Sequence, residues 1–130
     1  MRFYLDSAPI IYLVEQNPIF GPKVATWLLT HPGDLVSSEL GRMESLILPA
    51  RNADAALIVD FEQFFAIQIA EMVALSRDVF DKAIEIRAAF PSIRTPDAIH
   101  LAAAVLSGCD VFLCNDAHLK QYPNIRVELI

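Results

Sequence analysis

The sequence predicts an α/β domain: a three-layer α/β/α sandwich around a mainly parallel central sheet. Three observations carry this. Strand-like and helix-like segments alternate along the chain. The run Val111-Phe112-Leu113-Cys114 is apolar at every position, as a central parallel strand covered on both faces requires. A length of 130 residues with 55% hydrophobic content suffices for one buried core and leaves little room for a second, so residues 1–130 are read as a single domain.

The elements follow in order. Residues 2–5, Arg2-Phe3-Tyr4-Leu5, form a short strand ending at Asp6. A helix is expected from about Pro9 to Glu15, capped by Asp6 or Ser7 with Pro9 in its first turn. Asn17-Pro18 breaks it, and a second helix covers Pro22 to Thr30 up to His31-Pro32-Gly33. Leu35-Val36 is a brief strand. Glu39 to Leu48 is helical and stops at Pro49. Ala53 to Phe65 is another helix, and Ala66 to Ile69 a candidate strand.

Ser76 to Phe90 is amphipathic: Val79, Ala83, Ile86 and Phe90 recur at helical spacing, with Asp78, Asp81, Lys82 and Glu85 on the opposite face. Arg87 falls toward the apolar side, so its stem should follow the core and carry its head to water. Thr95-Pro96-Asp97 opens the most apolar helix, Ala98 to Leu106: Thr95 as cap, Pro96 at the first position, Asp97 at the positive end of the dipole. Ser107-Gly108 ends it. After the strand 111–114 come a short helix, Asp116 to Gln121, and a last alternating strand, Arg126 to Leu129.

The net charge is −6 and the pI about 4.9. This argues against nucleic-acid binding through a broadly basic surface but leaves recognition through bound cations open. Cys109 and Cys114 match no zinc or redox spacing, and Cys114 reads as core. The N-terminus carries no basic-then-apolar leader, and no apolar run approaches the roughly 20 residues of a membrane span. The expectation is a soluble cytoplasmic protein with no membrane contact.

Parallel α/β sheets place their ligand sites beyond the carboxyl ends of the strands. Asp6 ends the first strand and Asp116 lies just past the strand 111–114, so both belong at one edge. Asp97 starts the helix that leads into that strand, and a right-handed crossover turns its N-terminus to the same edge. Glu44 has Leu40, Ile47 and Leu48 as helical neighbours and so falls in an apolar stripe, where an unpaired charge is costly. It is either held by a basic partner, with Arg42 and Arg94 as candidates, or aimed at a cation. Singly, Asp6, Asp97 and Asp116 have ordinary duties as caps and first-turn acids. Together, four acids at one edge need something positive among them. Oxygen donors without a His/Cys cluster point to a hard cation, Mg²⁺ or Mn²⁺, and to metal-assisted phosphodiester hydrolysis.

His100, one turn after Asp97, reads as a packed or hydrogen-bonded histidine rather than a general base. His31 and His118 lie near helix ends and read as solvated. Trp27, Phe61, Phe64 and Phe65 read as core or as a partner surface rather than as base-stacking platforms. Arg42, Arg51, Arg87, Arg94 and Lys120 are candidates for phosphate contacts, with simple charge balance as the competing role.

These segments together resemble the PIN-domain nucleases, and most closely the VapC-type toxins of prokaryotic toxin–antitoxin pairs. The resemblance rests on Tyr4-Leu5-Asp6-Ser7, on Ser38-Glu39-Leu40-Gly41-Arg42-Met43-Glu44, on the run Thr95 to Ala104, and on Cys114-Asn115-Asp116. It spans nearly the whole chain. It implies a metal site in which Asp6 and Asp97 are ligands, Glu44 completes the set, and Asp116 binds directly or through water. Ser7 matches a small hydroxyl position beside the first acid. The family spacing and the apolar stripe both favour Glu44 over Glu39 in the middle role. Cys114 stands where similar proteins often carry threonine, a stronger hydrogen-bonding neighbour for Asp116. The implied activity is endonucleolytic cleavage of RNA with Mg²⁺ or Mn²⁺. The implied partners are the RNA substrate, a cognate antitoxin whose tail covers the site, and a second copy in a homodimer. Two other readings compete. A haloacid-dehalogenase-type phosphatase wants a second Asp where this chain has Ala8, and a receiver domain wants adjacent acids after the first strand. A PIN-like binding module without activity is disfavoured because all four acids are present.

Overall fold

The computed structural model describes residues 1–130. Strands β1 (Arg2–Leu5), β2 (Asp34–Ser38), β3 (Glu71–Val73), β4 (Val111–Cys114) and β5 (Arg126–Leu129) form one sheet in the order β3-β2-β1-β4-β5. Every neighbouring pair is parallel; Tyr4 stands opposite Val36 on one side and Phe112 on the other. The chain builds outward from β1 through β2 to β3, then returns to β4 and β5. The order therefore reverses at β1, which creates a crevice at the carboxyl ends of β1 and β4.

Six helices complete the layers: α1 (Ser7–Val14), α2 (Phe20–Thr30), α3 (Glu39–Arg51), α4 (Ala55–Ile67), α5 (Arg77–Ala89) and α6 (Thr95–Leu106). Alternation along the strands decides which side each residue serves. Tyr4, Val36, Phe112 and Cys114 pack with Val79, Ala83 and Ile86 of α5 and with Ala98, Leu101 and Ala102 of α6. Leu5 and Leu113 face the other way, onto Ile10 of α1 and Phe61, Phe64 and Phe65 of α4. All of β4 is buried, as its unbroken apolar run implied. The phenylalanines of α4 are core. Trp27 packs edge-on against Phe3, with ring centroids 5.0 Å apart. No helix is long and apolar enough to cross a membrane.

Several boundaries differ from the sequence reading, each for a physical reason. Residues 66–69 are not a strand. The helical spacing of Phe61, Phe64 and Phe65 carries α4 on to Ile67, and the chain joins the sheet only where Ala70 N donates to Leu35 O at 2.8 Å. Pro49 does not end α3. It sits in the last turn, so one helical bond is lost, while Asn52 N and Asp54 N still reach Leu48 O and Pro49 O at 3.0 and 2.9 Å. Helix α2 starts at Phe20, ahead of Pro22, because Asn17 Oδ1 accepts from Ile19 N and Phe20 N at 3.0 and 2.9 Å. Thr95 does not cap α6. Arg94 holds the cap position without a side-chain bond, and Thr95 Oγ1 accepts from Arg87 Nη1 at 3.1 Å. Arg87 also donates to Ile93 O (2.8 Å) and Pro91 O (3.1 Å), so its head ties down the α5–α6 loop. Residues Ala117–Gln121 form a 3-10 turn opened by Asp116, rather than an α-helix.

Candidate active site

The site is assembled at the carboxyl edge of the sheet. Asp6 continues β1 by donating its N–H to Leu113 O at 3.0 Å, and its Oδ1 accepts from Ser7 N at 2.8 Å, capping α1. That double duty keeps the carboxylate buried, with 9% of the residue exposed. Glu44 comes from α3, which packs against α1, α4 and α6. Helix α3 is started by Ser38, whose Oγ accepts from Gly41 N at 3.3 Å. A Cβ on Gly41 would stand 2.7 Å from Ser37 Oγ, so the lack of a side chain lets α3 lie close over β2.

Helix α6 contributes Asp97 from its first turn and His100 from the next. His100 is 1% exposed. Its Nε2 lies 2.5 Å from Glu44 Oε1 and 3.4 Å from Asp6 Oδ1. Its Nδ1 lies 2.7 Å from Tyr4 Oη, which donates to Ser38 Oγ at 2.8 Å. Asp6, Glu44 and His100 each place one donor atom within 4.8 Å of the others. Asp97 and Asp116 stand outside that group, yet the charge of each acts within the cluster: Asp116 on Asp6, and Asp97 on His100. Asp116 is exposed, and its Oδ1 accepts from His118 N at 2.9 Å. Cys114 Sγ donates to Asp116 O at 3.6 Å, a weak stand-in for a hydroxyl.

The electrostatics follow from burial and like charge. Burial pushes Asp6 above the ordinary carboxylate range, and the charges of Glu44 and Asp116 add to this, against the pull of His100 and Ser7 N–H. Asp97 is raised too, by burial and then by Asp6, with no hydrogen bond to offset it. Glu44 goes the other way. Burial raises it, but the hydrogen bond and charge of His100, with the Ser7 hydroxyl, outweigh that and hold it low. His100 is disfavoured as a cation by burial, but Glu44, Asp6 and Asp97 outweigh this and raise it. Burial pushes the Cys114 thiol up to about 11.

Two expectations about Glu44 need correction. Leu40 is buried, but Ile47 and Leu48 are 48% and 53% exposed, so the stripe is not what secludes Glu44; the close approach of α6 is. Its basic partner is His100, not Arg42 or Arg94. Arg42 forks onto Glu62 at 2.9 and 3.0 Å and lies 4.0 Å from Glu39, which removes Glu39 from the cluster. One imidazole faces several carboxylates, so the edge keeps a surplus of buried and half-buried negative charge. An oxygen-rich donor set with that surplus fits a hard divalent cation.

The family profile described as PIN domain matches residues 3–125. No curated protein matches the chain in sequence. Among solved structures, VapBC2 from Rickettsia felis bound to a DNA fragment from the promoter is similar with TM-score 0.80 at 14% identity, covering 100% of this chain and 99% of that one. DNA-bound VapBC from Salmonella typhimurium gives 0.76 at 19%, covering 99% and 98%. Mycobacterium tuberculosis VapC20, a toxin that cleaves the sarcin–ricin loop, gives 0.75 at 14%, covering 95% and 98%. Likeness at such identities establishes the fold. The profile match over nearly the whole length goes further: this chain belongs to the PIN domain family.

Proposed function

We propose that the chain is a Mg²⁺- or Mn²⁺-dependent endoribonuclease and the toxin of a type II toxin–antitoxin pair. One observation carries the reading: buried Asp6, half-buried Asp97 and Glu44 converge on one edge of the sheet with more negative charge than His100 offsets. Asp6 and Asp97 are the ligands whose protein environment compensates them least. Glu44 completes the set, and exposed Asp116 engages the cation directly or through water. A divalent ion there supplies an activated water and charge stabilisation for the leaving oxygen of a phosphodiester. The protein's part is to hold the carboxylates: the α1 cap fixes Asp6, the first turn of α6 fixes Asp97, and His100 fixes Glu44.

RNA is favoured as substrate by the resemblance to the PIN-domain nucleases and by the similar toxin that cleaves the sarcin–ricin loop. An antitoxin partner is favoured by the VapBC complexes among the neighbours. A homodimer and a cytoplasmic site of action go with the same reading. The chain has only 10 Lys and Arg against 16 Asp and Glu, so phosphate affinity depends on the cation, and RNA binding in chelator should be weak. The deciding experiment incubates purified protein with RNA and Mg²⁺ or Mn²⁺, beside Asp6→Asn and Asp97→Asn. Wild-type protein should cleave and both variants should lose nearly all of that activity; equal cleavage by the variants rejects the site. Growth arrest on expression, relieved by the product of a neighbouring small gene, tests the toxin role.

A further inference from the structure

We propose that His100 is a positioning residue: a ring of hydrogen bonds through Glu44, His100, Tyr4, Ser38 and the first turn of α3 sets where the Glu44 carboxylate stands at the metal centre. The proposal rests on the metal-dependent reading above. It is carried by the path of the bonds. Glu44 Oε1 meets His100 Nε2 at 2.5 Å; His100 Nδ1 meets Tyr4 Oη at 2.7 Å; Tyr4 Oη donates to Ser38 Oγ at 2.8 Å. Ser38 Oγ then accepts from Gly41 N at 3.3 Å, one turn before Glu44 on the same helix. The path leaves α3 at Glu44, crosses α6 and the neighbouring strands β1 and β2, and returns to α3 at its cap.

Its interior members are buried almost completely: Tyr4 and Ser38 at 0% and His100 at 1% exposure. No water competes for these bonds, and none of the three side chains has room to turn away. Glu44 is only half-buried and reaches the edge from a helix whose next turn is exposed, so without the ring its long side chain would sample several rotamers. A core histidine of purely structural duty needs only some partner for each nitrogen. Here Nε2 faces the two carboxylates of the site, Glu44 and Asp6, and nothing else polar. Gly41 lets α3 sit this close to β2, since a Cβ there would stand 2.7 Å from Ser37 Oγ. Outer partners of ligating carboxylates commonly govern metal affinity, and losing one costs about 10–100-fold.

The test measures Mn²⁺ affinity by titration calorimetry for wild type, His100→Ala, His100→Gln and Tyr4→Phe, with melting in chelator to establish folding and RNA cleavage alongside. His100→Ala should weaken Mn²⁺ binding about 10–100-fold. His100→Gln, which keeps an N–H at the reach of Nε2, should recover most of the loss. Tyr4→Phe, which cuts the ring behind the imidazole, should fall between. A folded His100→Ala that binds Mn²⁺ as tightly as wild type, or tighter, overturns the proposal. If the alanine variant does not fold, Tyr4→Phe decides, and wild-type affinity in it overturns the proposal. Pulsed electron spin resonance of bound Mn²⁺ should show no directly bonded nitrogen; a nitrogen coupling lost in His100→Gln makes His100 a ligand and overturns the positioning role. Wild type that binds Mn²⁺ but leaves RNA intact sinks the nuclease reading alone, since the affinities still decide the role of His100. Wild type that takes up no Mn²⁺ sinks both.

Discussion

Asp6 uses one carboxylate for two purposes, and a single substitution separates them. It caps α1 through Ser7 N at 2.8 Å, and it stands buried among like charges that burial already makes costly. Asparagine caps a helix about as well as aspartate and carries no charge. In chelator, Asp6→Asn should therefore melt at the wild-type temperature or above it. With Mn²⁺ present its RNA cleavage should fall by about 10²–10³-fold, the usual cost of removing one group that stabilises developing charge. A melting temperature below wild type in chelator counts against the clustered-charge picture. Ser37 poses a simpler case: its hydroxyl is buried at 0% exposure without a protein partner. Ser37→Ala should leave stability unchanged or raise it by about 1 kcal/mol in urea unfolding; a clear loss would reveal a partner for the hydroxyl. That Asp6 stands at this edge was legible in the sequence, because it ends a strand; Glu44 is drawn in by its motif spacing, since the apolar stripe around it is half exposed. The contact of His100 with Glu44 was not legible. The spacing of His100 from Asp97 shows that the two share a face of α6, but only the packing of α3 onto α6 shows that this face meets Glu44.

Elements whose period is unambiguous were readable along the chain, and those at a boundary between two periods were not. The apolar run of β4 and the amphipathic stripe of α5 are long enough to admit one interpretation. Ala66 to Ile69 is too short to decide: the helix that carries Phe61, Phe64 and Phe65 has its turns already formed and runs on through Ile67, and the chain leaves it at Gln68 and Ile69. Pro49 misleads for a related reason. Its cost depends on how many bonds follow it, and near a helix end there are few. The entry to β2 offers a test at this scale. Gly33 precedes the strand where it lies against the start of β1, and a Cβ there would stand 2.5 Å from Met1 O and 2.7 Å from the Phe3 ring. Backbone and a wholly buried ring leave little room to give, and Phe3 in turn supports Trp27. Gly33→Ala should cost about 1–3 kcal/mol as overpacking and lower the melting temperature accordingly. Wild-type stability would show that β2 enters the sheet by another path.

For the molecule as a whole, the acidic edge ties stability to pH in a way that a bound cation should reverse. Without metal, Asp6 and Asp97 bind protons more tightly folded than unfolded, so each contributes stability that is lost as pH rises above the ordinary carboxylate range. Glu44, held low by His100, acts oppositely at acid pH, and the carboxylates therefore partly cancel there. His100 decides the neutral range. Its raised pKa means that the folded state keeps a proton the unfolded chain releases near pH 6.5, so its contribution is complete below that value and is lost as pH rises through the folded pKa. In chelator, the melting temperature should fall from about pH 6.5 upward. In Mn²⁺ the trend should invert, because ligating carboxylates must be deprotonated, so binding strengthens as protons leave. A free cation at about 100 times its dissociation constant adds about 2.7 kcal/mol to the stability of the folded state. Thermal melts across the neutral range, with chelator and with Mn²⁺, should give curves of opposite slope, and His100→Gln should flatten the chelator curve. A chelator curve that is flat in wild type would mean that His100 is already neutral beside Glu44 in the folded protein. A chelator slope that persists in His100→Gln would place the titrating group elsewhere in the fold.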